Sequence, residues 1–162
     1  MDLSGAYPDV LVLVGTQTGN SETVADAVAA QLGDVGFSAH VTDMAEAYPE
    51  MLDDYRQLVV VLCTWAEGTF PDNTVAFYEA LESLGPDLAH LAYGLVGLGD
   101  RDYDPYYQTA AYRLADTLDR LGARRALPIH EIDGEPTPRD TAGAVAWALG
   151  LAEAFAALHE AP

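Results

Sequence analysis

The segment Val10-Leu11-Val12-Leu13-Val14-Gly15-Thr16-Gln17-Thr18-Gly19-Asn20-Ser21 decides the fold. Val10–Val14 is apolar without a break and rich in β-branched side chains. That reads as a strand buried on both faces, as in a parallel sheet. Gly15–Asn20 is a turn-rich loop. From Ser21 the period changes: Val24, Val28 and Leu32 recur every four residues, with Glu22, Asp26 and Gln31 elsewhere. This predicts an amphipathic helix ending near Gly33–Gly36.

The pattern repeats outward from there. Phe37–Thr42 is a weaker second strand, and Leu58–Cys63 is a second buried one. After the loop Thr64–Asn73 comes a short helix with Phe77, Leu81 and Leu84 on one face and Glu79 and Glu82 on the other. Tyr93–Leu98 is another strand, followed by the loop Gly99–Tyr107. A helix to about Leu121 then carries Ala111, Leu114 or Ala115, and Leu118 inward. Ala126–Ile132 reads as the last strand. Thr137-Pro138-Arg139-Asp140 has the signature of a helix start, and that helix runs toward Leu158. Strand and helix therefore alternate about five times, which predicts one α/β domain over residues 10–158, a parallel sheet with helices on both faces. Residues 1–9 read as a short ragged lead-in. No internal repeat, low-complexity tract or linker interrupts the chain.

Composition narrows the function. Among 162 residues, 26 are acidic and 7 basic, a net charge of −19, and every basic residue is Arg. Nucleic acid and anionic membranes both require a cationic face, so neither is the expected partner. Cationic partners are favoured, although a Lys-free acidic surface also arises from a salt-rich habitat or genome composition. The single cysteine, Cys63, excludes an intrachain disulfide. The start Met1-Asp2-Leu3-Ser4 has no signal-peptide pattern. None of the apolar stretches Val10–Val14, Leu58–Cys63 and Ala142–Ala152 reaches the ~20 residues that span a bilayer. The expectation is a cytoplasmic protein.

In open parallel sheets, ligands sit beyond the carboxyl ends of the strands. Three loops of unusual composition emerge there. Thr16-Gln17-Thr18-Gly19-Asn20-Ser21 joins a strand to a helix N-terminus, where backbone N–H groups and the helix dipole favour an anion. It carries no Lys, so it is not a G-x-x-x-x-G-K-[ST] loop, and the spacing of Gly15 and Gly19 rules out G-x-G-x-x-G. It reads either as a neutral phosphate cradle or as an ordinary capped turn. The second loop begins Thr64-Trp65-Ala66-Glu67-Gly68; its Trp either lies on a flat ligand ring or folds over its own loop. The third runs Gly97-Leu98-Gly99-Asp100-Arg101-Asp102-Tyr103-Asp104-Pro105-Tyr106-Tyr107, with Tyr103 as a second aromatic face or one of several surface tyrosines. His40, His90, His130 and His159 show no metal-ligand spacing. No metal site is expected; Asp100, Asp102 and Asp104 read as a solvated negative rim.

In this order, each after a buried strand, the three loops resemble the flavodoxin family. The resemblance covers about residues 10–158. It is closest to MioC-like short-chain flavodoxins and to the FMN domains of diflavin reductases, through Pro71-Asp72-Asn73, Phe77-Tyr78-Glu79-Ala80-Leu81, Pro86-Asp87-Leu88 and Arg101-Asp102-Tyr103-Asp104. It implies a flavodoxin-like doubly wound sandwich with a five-stranded parallel sheet of order 2-1-3-4-5, and a non-covalently bound FMN. The implied cofactor-binding residues are Thr16, Gln17, Thr18, Gly19, Asn20 and Ser21 at the phosphate; Cys63, Thr64, Trp65, Ala66, Glu67 and Gly68 at one flavin face; and Leu98, Gly99, Asp100, Tyr103, Tyr106 and Tyr107 at the other. An acidic residue after the last strand, Glu131 or Asp133, completes the set, Glu131 being the one expected. One departure stands out. The family usually has Gly directly after the aromatic residue of the second loop, where the peptide turns its carbonyl toward flavin N5. Here that position is Ala66, and the next Gly is Gly68.

The implied function is a monomeric electron carrier without catalytic residues, shuttling low-potential electrons between a cationic reductase and acceptor proteins. The alternative on the same scaffold is an FMN-dependent NAD(P)H:quinone or azo reductase, for which the sequence offers neither an insertion nor an Arg cluster.

Overall fold

The alternation of side chains along the buried strands divides the core into two layers. A computed structural model describes residues 2–160. Strand β1 (Asp9–Gly15) leads into α1 (Asn20–Asp34) and is followed by β2 (Ser38–Asp43), β3 (Gln57–Cys63) and α2 (Asp72–Leu84). Then come β4 (Ala92–Gly99), α3 (Thr109–Arg120), β5 (Arg124–Arg125), β6 (His130–Asp133) and α4 (Pro138–Glu160). Leu11 and Leu13 of β1 face the same side as Leu58, Val60 and Leu62 of β3 and Tyr93 and Leu95 of β4, and α2 and α3 cover them. Val10, Val12 and Val14 face the other side with Val59, Val61, Val96 and Leu98, beneath α1 and α4. Burying each such side chain contributes roughly 1.5–3 kcal/mol.

All strand pairs are parallel, in the order β2-β1-β3-β4, with β5 and β6 lying one after the other along the outer edge of β4. This is the expected five-row 2-1-3-4-5 sheet. The last row is not the continuous strand expected over Ala126–Ile132. It is broken at Leu127-Pro128-Ile129, because Pro128 has no N–H to donate to the ladder of β4. The second strand is shifted by one residue, to Ser38–Asp43, and is the exposed edge. Between β2 and β3 the chain crosses over through two short 3-10 turns, Met44–Glu46 and Pro49–Asp54, rather than a helix.

One expectation for the helices is corrected and one alternative is resolved. Leu84, placed inward by periodicity, is 55% exposed, because it is the last residue of α2 before the left-handed Gly85; the buried positions are Thr74, Phe77, Tyr78 and Leu81. Leu114 and Ala115 of α3 are both buried. The start of α4 forms a reciprocal cap: the Asp140 carboxylate accepts from the Thr137 N–H (2.9 Å), and the Thr137 hydroxyl accepts from the Asp140 N–H (3.1 Å). The stretch Ala142–Ala152 lies within this 23-residue helix, the one helix among the described residues long and apolar enough to cross a membrane. Its Ala144, Ala148, Leu151, Ala152 and Phe155 are buried in the core.

Within residues 2–9 the backbone is hydrogen-bonded to the rest of the domain. The Leu3 N–H donates to the Val35 carbonyl (2.7 Å), and the buried Gln57 amide donates to the carbonyls of Tyr7 (2.8 Å) and Asp9 (3.1 Å). Helix α4 sits directly on β4 at Gly94, where a Cβ would lie 2.7 Å from Leu151 Cδ1 and 3.0 Å from Trp147 Cη2. Gly94→Ala should therefore destabilise the protein by about 1–3 kcal/mol through overpacking. Urea unfolding checks this, the midpoint falling at unchanged slope.

Candidate functional site

The chain leaves β1 toward β2 and returns on the other side of β1 at β3. The connections thus diverge at the carboxyl ends of β1 and β3 and leave a crevice there. It is a cleft of ≈ 420 Å³ lined by Thr16, Gln17, Thr18, Asn20, Ser21, Cys63, Thr64, Trp65, Ala66, Leu98, Gly99, Asp100, Tyr103, Gly134 and Glu135. The loops after β1, β3, β4 and β6 all contribute.

The first loop is held from outside, so that its inner surface is left to a ligand. Asn73 at the start of α2 accepts from the Thr16 N–H (3.2 Å) and donates to the Val14 carbonyl (3.3 Å) and the Asp43 carboxylate (2.9 Å). The Gln17 amide exchanges hydrogen bonds with Asp72 (3.0 and 3.3 Å). Within the loop, the Thr16 hydroxyl accepts from the Gly19 N–H (2.8 Å), and Gly19 turns the chain into α1 at φ 92°, a conformation suited to glycine. None of these bonds uses the N–H groups of Thr18, Asn20 or Ser21, at the positive end of the α1 dipole. The Ser21 side chain is fully buried, and among the described residues its hydroxyl has no oxygen or nitrogen partner, its polar neighbour being the Cys63 thiol. An unpaired buried hydroxyl costs about 1–3 kcal/mol. Free donors and an orphaned hydroxyl at a helix N-terminus fit the phosphate of FMN. The only charged residues lining the cleft are Asp100 and Glu135, so neutral donors must hold that anion.

Two aromatic side chains flank the opening. Trp65 is 42% exposed and Tyr103 60% exposed, although both lie against the cleft. Exposed rings at a cleft fit a flat, apolar ligand ring. The Thr64 hydroxyl turns away and accepts from the Ala110 N–H at the start of α3 (3.1 Å). Burial pushes the Cys63 thiol up, against the lowering contacts of the Gln17 backbone and the Ser21 side chain. The Tyr103 loop is fastened to the loop after β6: Asp133 accepts from the Arg101 N–H (2.9 Å), and the Gly134 N–H donates to the Gly99 carbonyl (2.7 Å). Arg101 reaches the second oxygen of Asp133 at 3.5 Å and lies over the Tyr107 ring at 4.1 Å.

The remaining expected residues sit elsewhere. Gly19 shapes the first loop without lining the cleft. Glu67 and Gly68 line a second groove on the far side of their hairpin, and Tyr106 packs against Gly68. Tyr107 lies beneath Arg101, and Glu131 accepts a hydrogen bond from the Tyr112 hydroxyl (2.7 Å). Gly134 and Glu135 line the cleft in place of Glu131. Their signal in the sequence is the turn Asp133-Gly134-Glu135-Pro136, directly after the last strand and at the same sheet edge. Among the described residues no three His, Cys, Asp or Glu side chains converge as metal ligands would.

Ala66 is the one non-glycine residue with positive φ among the described residues (48°). The hairpin around it is closed by two Trp65–Thr69 backbone bonds (2.8 Å each), and the Thr69 hydroxyl also donates to the Trp65 carbonyl (2.7 Å). A side-chain-bearing residue in this conformation costs about 1–2 kcal/mol. Ala66 thus holds a left-handed backbone conformation that favours glycine, with strain. Relieving it by Ala66→Gly, less the backbone entropy of Gly, should stabilise flavin-free protein by about 0.5–1 kcal/mol. Comparative urea unfolding of the two proteins measures it.

Known proteins with the same features identify the family. The flavodoxin family model matches residues 12–147. The sulfite reductase (NADPH) flavoprotein alpha-component of Bacillus subtilis is 34% identical over 126 residues, which are 77% of this chain and 21% of that protein. That of Thiocapsa roseopersicina is 33% identical over 128 residues, 76% of this chain and 24% of its own length. The chain thus spans about a fifth to a quarter of these relatives. Among solved structures, a short-chain flavodoxin associated with a bacterial microcompartment superposes with a TM-score of 0.82 at 28% identity, over 91% of this chain and 98% of that one. A point variant of a Pseudomonas aeruginosa flavodoxin gives 0.82 at 27% identity over the same shares. The chain belongs to the flavodoxin family of FMN-binding electron carriers.

Proposed function

We propose that this chain relays electrons on FMN between a cationic reductase and acceptor proteins and catalyses no reaction on a small substrate of its own. The observation that carries this reading is the neutral cradle at the start of α1, with free N–H groups and the orphaned Ser21 hydroxyl, beside a cleft flanked by Trp65 and Tyr103. The similarity to one part of a larger flavoprotein subunit supports a relay role.

FMN supplies the redox chemistry, and the protein's residues bind and orient it. The Thr18, Asn20 and Ser21 N–H groups and the Ser21 hydroxyl hold the phosphate. Trp65 and Tyr103 cover the flavin ring and keep water from its faces. Asp133 and Gly134 fix the loop that carries Tyr103. A pyridine nucleotide would have to bring its phosphates past Asp100 and Glu135, with no cation lining the cleft. Purified protein should therefore consume NADPH slowly without a separate reductase. Rapid turnover of NADPH with a quinone by the protein alone would instead establish the reductase reading.

The phosphate assignment has its own test. Hydrogen bonds to a charged group contribute about 1.5–3 kcal/mol each. Ser21→Ala should thus weaken FMN by at least about tenfold while leaving riboflavin, which lacks the phosphate, within about twofold. Equal losses for both flavins would remove Ser21 from the phosphate site. In the same titrations, Trp65 fluorescence should be quenched by FMN and recover on its removal; Trp147→Phe isolates the signal.

A further inference from the structure

A second groove, of ≈ 650 Å³, lies on the other side of the Trp65–Thr69 hairpin, between α2 and α3. Its floor is aromatic. Phe70 and Tyr78 lie with ring centroids 4.4 Å apart, and exposed Val75 extends the apolar surface. Its walls bear the carboxylates of Glu67, Glu79 and Glu82. Glu82 is occupied, accepting from Tyr78, Thr117 and Arg120 (2.7–2.9 Å). Glu67 and Glu79 are exposed and make no ion pair among the described residues.

The chain's own Arg113 shows what this floor accepts. Its guanidinium lies 4.9 Å from the Tyr78 ring centroid and 5.3 Å from that of Phe70, and it too forms no ion pair among the described residues. A cation over an aromatic face is worth about 0.5–1 kcal/mol at an exposed site and more when desolvated. Flanking carboxylates strengthen the same preference.

We propose that this groove is the docking point for a cationic side chain, ammonium or guanidinium, of the redox protein that exchanges electrons with the cofactor cleft. The inference rests on the carrier reading. It adds the place: beside the hairpin, on the α2–α3 flank, rather than anywhere on a uniformly acidic surface. Three observations support it. The groove is charge-complementary to a basic partner. Its aromatic floor already holds one cation. Its wall, Glu67-Gly68-Thr69, continues directly into Trp65 and Ala66 of the cleft, so a partner seated there lies beside the flavin site. In this geometry Arg113 competes with the incoming cation for the aromatic floor.

That competition gives the test opposite signs at two residues. Chemically reduced, FMN-loaded protein is mixed with a basic c-type cytochrome at low salt, and the second-order rate of electron transfer is read. Glu79→Gln should slow it by about twofold to fivefold, the range for single exposed charge pairs. Arg113→Gln, which clears the floor, should speed it. Two variants carry the same changes in net charge away from both groove and cleft: Glu153→Gln on α4 and Arg124→Gln on β5, opposite the first residue of β4, should each move the rate by less than about 1.5-fold, as remote charges are screened beyond ~8–10 Å. FMN titration of every variant accompanies the rates and should show unchanged affinity. If Glu79→Gln matches Glu153→Gln, or Arg113→Gln is no faster than Arg124→Gln, the placement is overturned. A wild-type protein that takes up no FMN overturns the carrier reading itself, and this placement with it.

Discussion

The site depends on one topological constraint: β1 lies between β2 and β3, with the chain running to one neighbour first and the other second. Crossovers in opposite directions along the sheet, from β1 to β2 through α1 and from β3 to β4 through α2, put α1 on one face and α2 on the other. The loops after β1 and β3 must then part, and nothing in the sheet can fill the gap between them. The apolar runs Val10–Val14 and Leu58–Leu62 matter to function because they pin these two rows in register, Val12 opposite Val59. A slip of one residue would turn every buried side chain to the opposite face and carry the loops with it.

The apolar runs and the helical period after Ser21 made β1, α1, β3 and β4 legible in the sequence, because a buried parallel strand admits almost no polar residue. The last row was not legible as built. Its apolar character extends across Ala126–Ile132, but hydrogen bonding decides a strand, and Pro128 cannot take part. Leu84 shows the matching limit for helices. Periodicity assigns a face without knowing where the helix stops, and a terminal residue at the right angle still faces solvent.

The loops were legible by position more than by residue. Adjacency in the chain does not set which way a side chain turns once a hairpin closes. Trp65 and Ala66 line the cleft, while Glu67 and Gly68, one and two residues on, line the opposite groove, because the Trp65–Thr69 bridge folds the segment into a wall with two faces. Glu131 and Asp133 differ in the same way. They are two apart on one strand and so share a side, but Glu131 reaches Tyr112 on α3 and Asp133 binds the Arg101 backbone. Neither partnership follows from spacing; both need the third dimension.

A chain of net charge −19 that binds a phosphate must separate two electrostatic problems. Over long distances its carboxylates act together, attracting cationic proteins and repelling anions, and salt screens them beyond ~8–10 Å. At the phosphate the relevant groups are a few ångströms away, and there the net charge matters less than donors already pointing inward. The loop at the start of α1 offers backbone N–H groups that cannot turn away and a buried Ser21 hydroxyl whose polar neighbour is the Cys63 thiol, a weak acceptor. Asn73 and Asp72 brace the loop from behind, and Gln17 spends its amide on Asp72 rather than on the ligand. A Lys in that loop would hold a phosphate too, but it would weaken the negative field around the cleft. Local dipoles can bind an anion without cancelling the surface charge, which lets one small domain hold an anionic cofactor and keep an acidic surface.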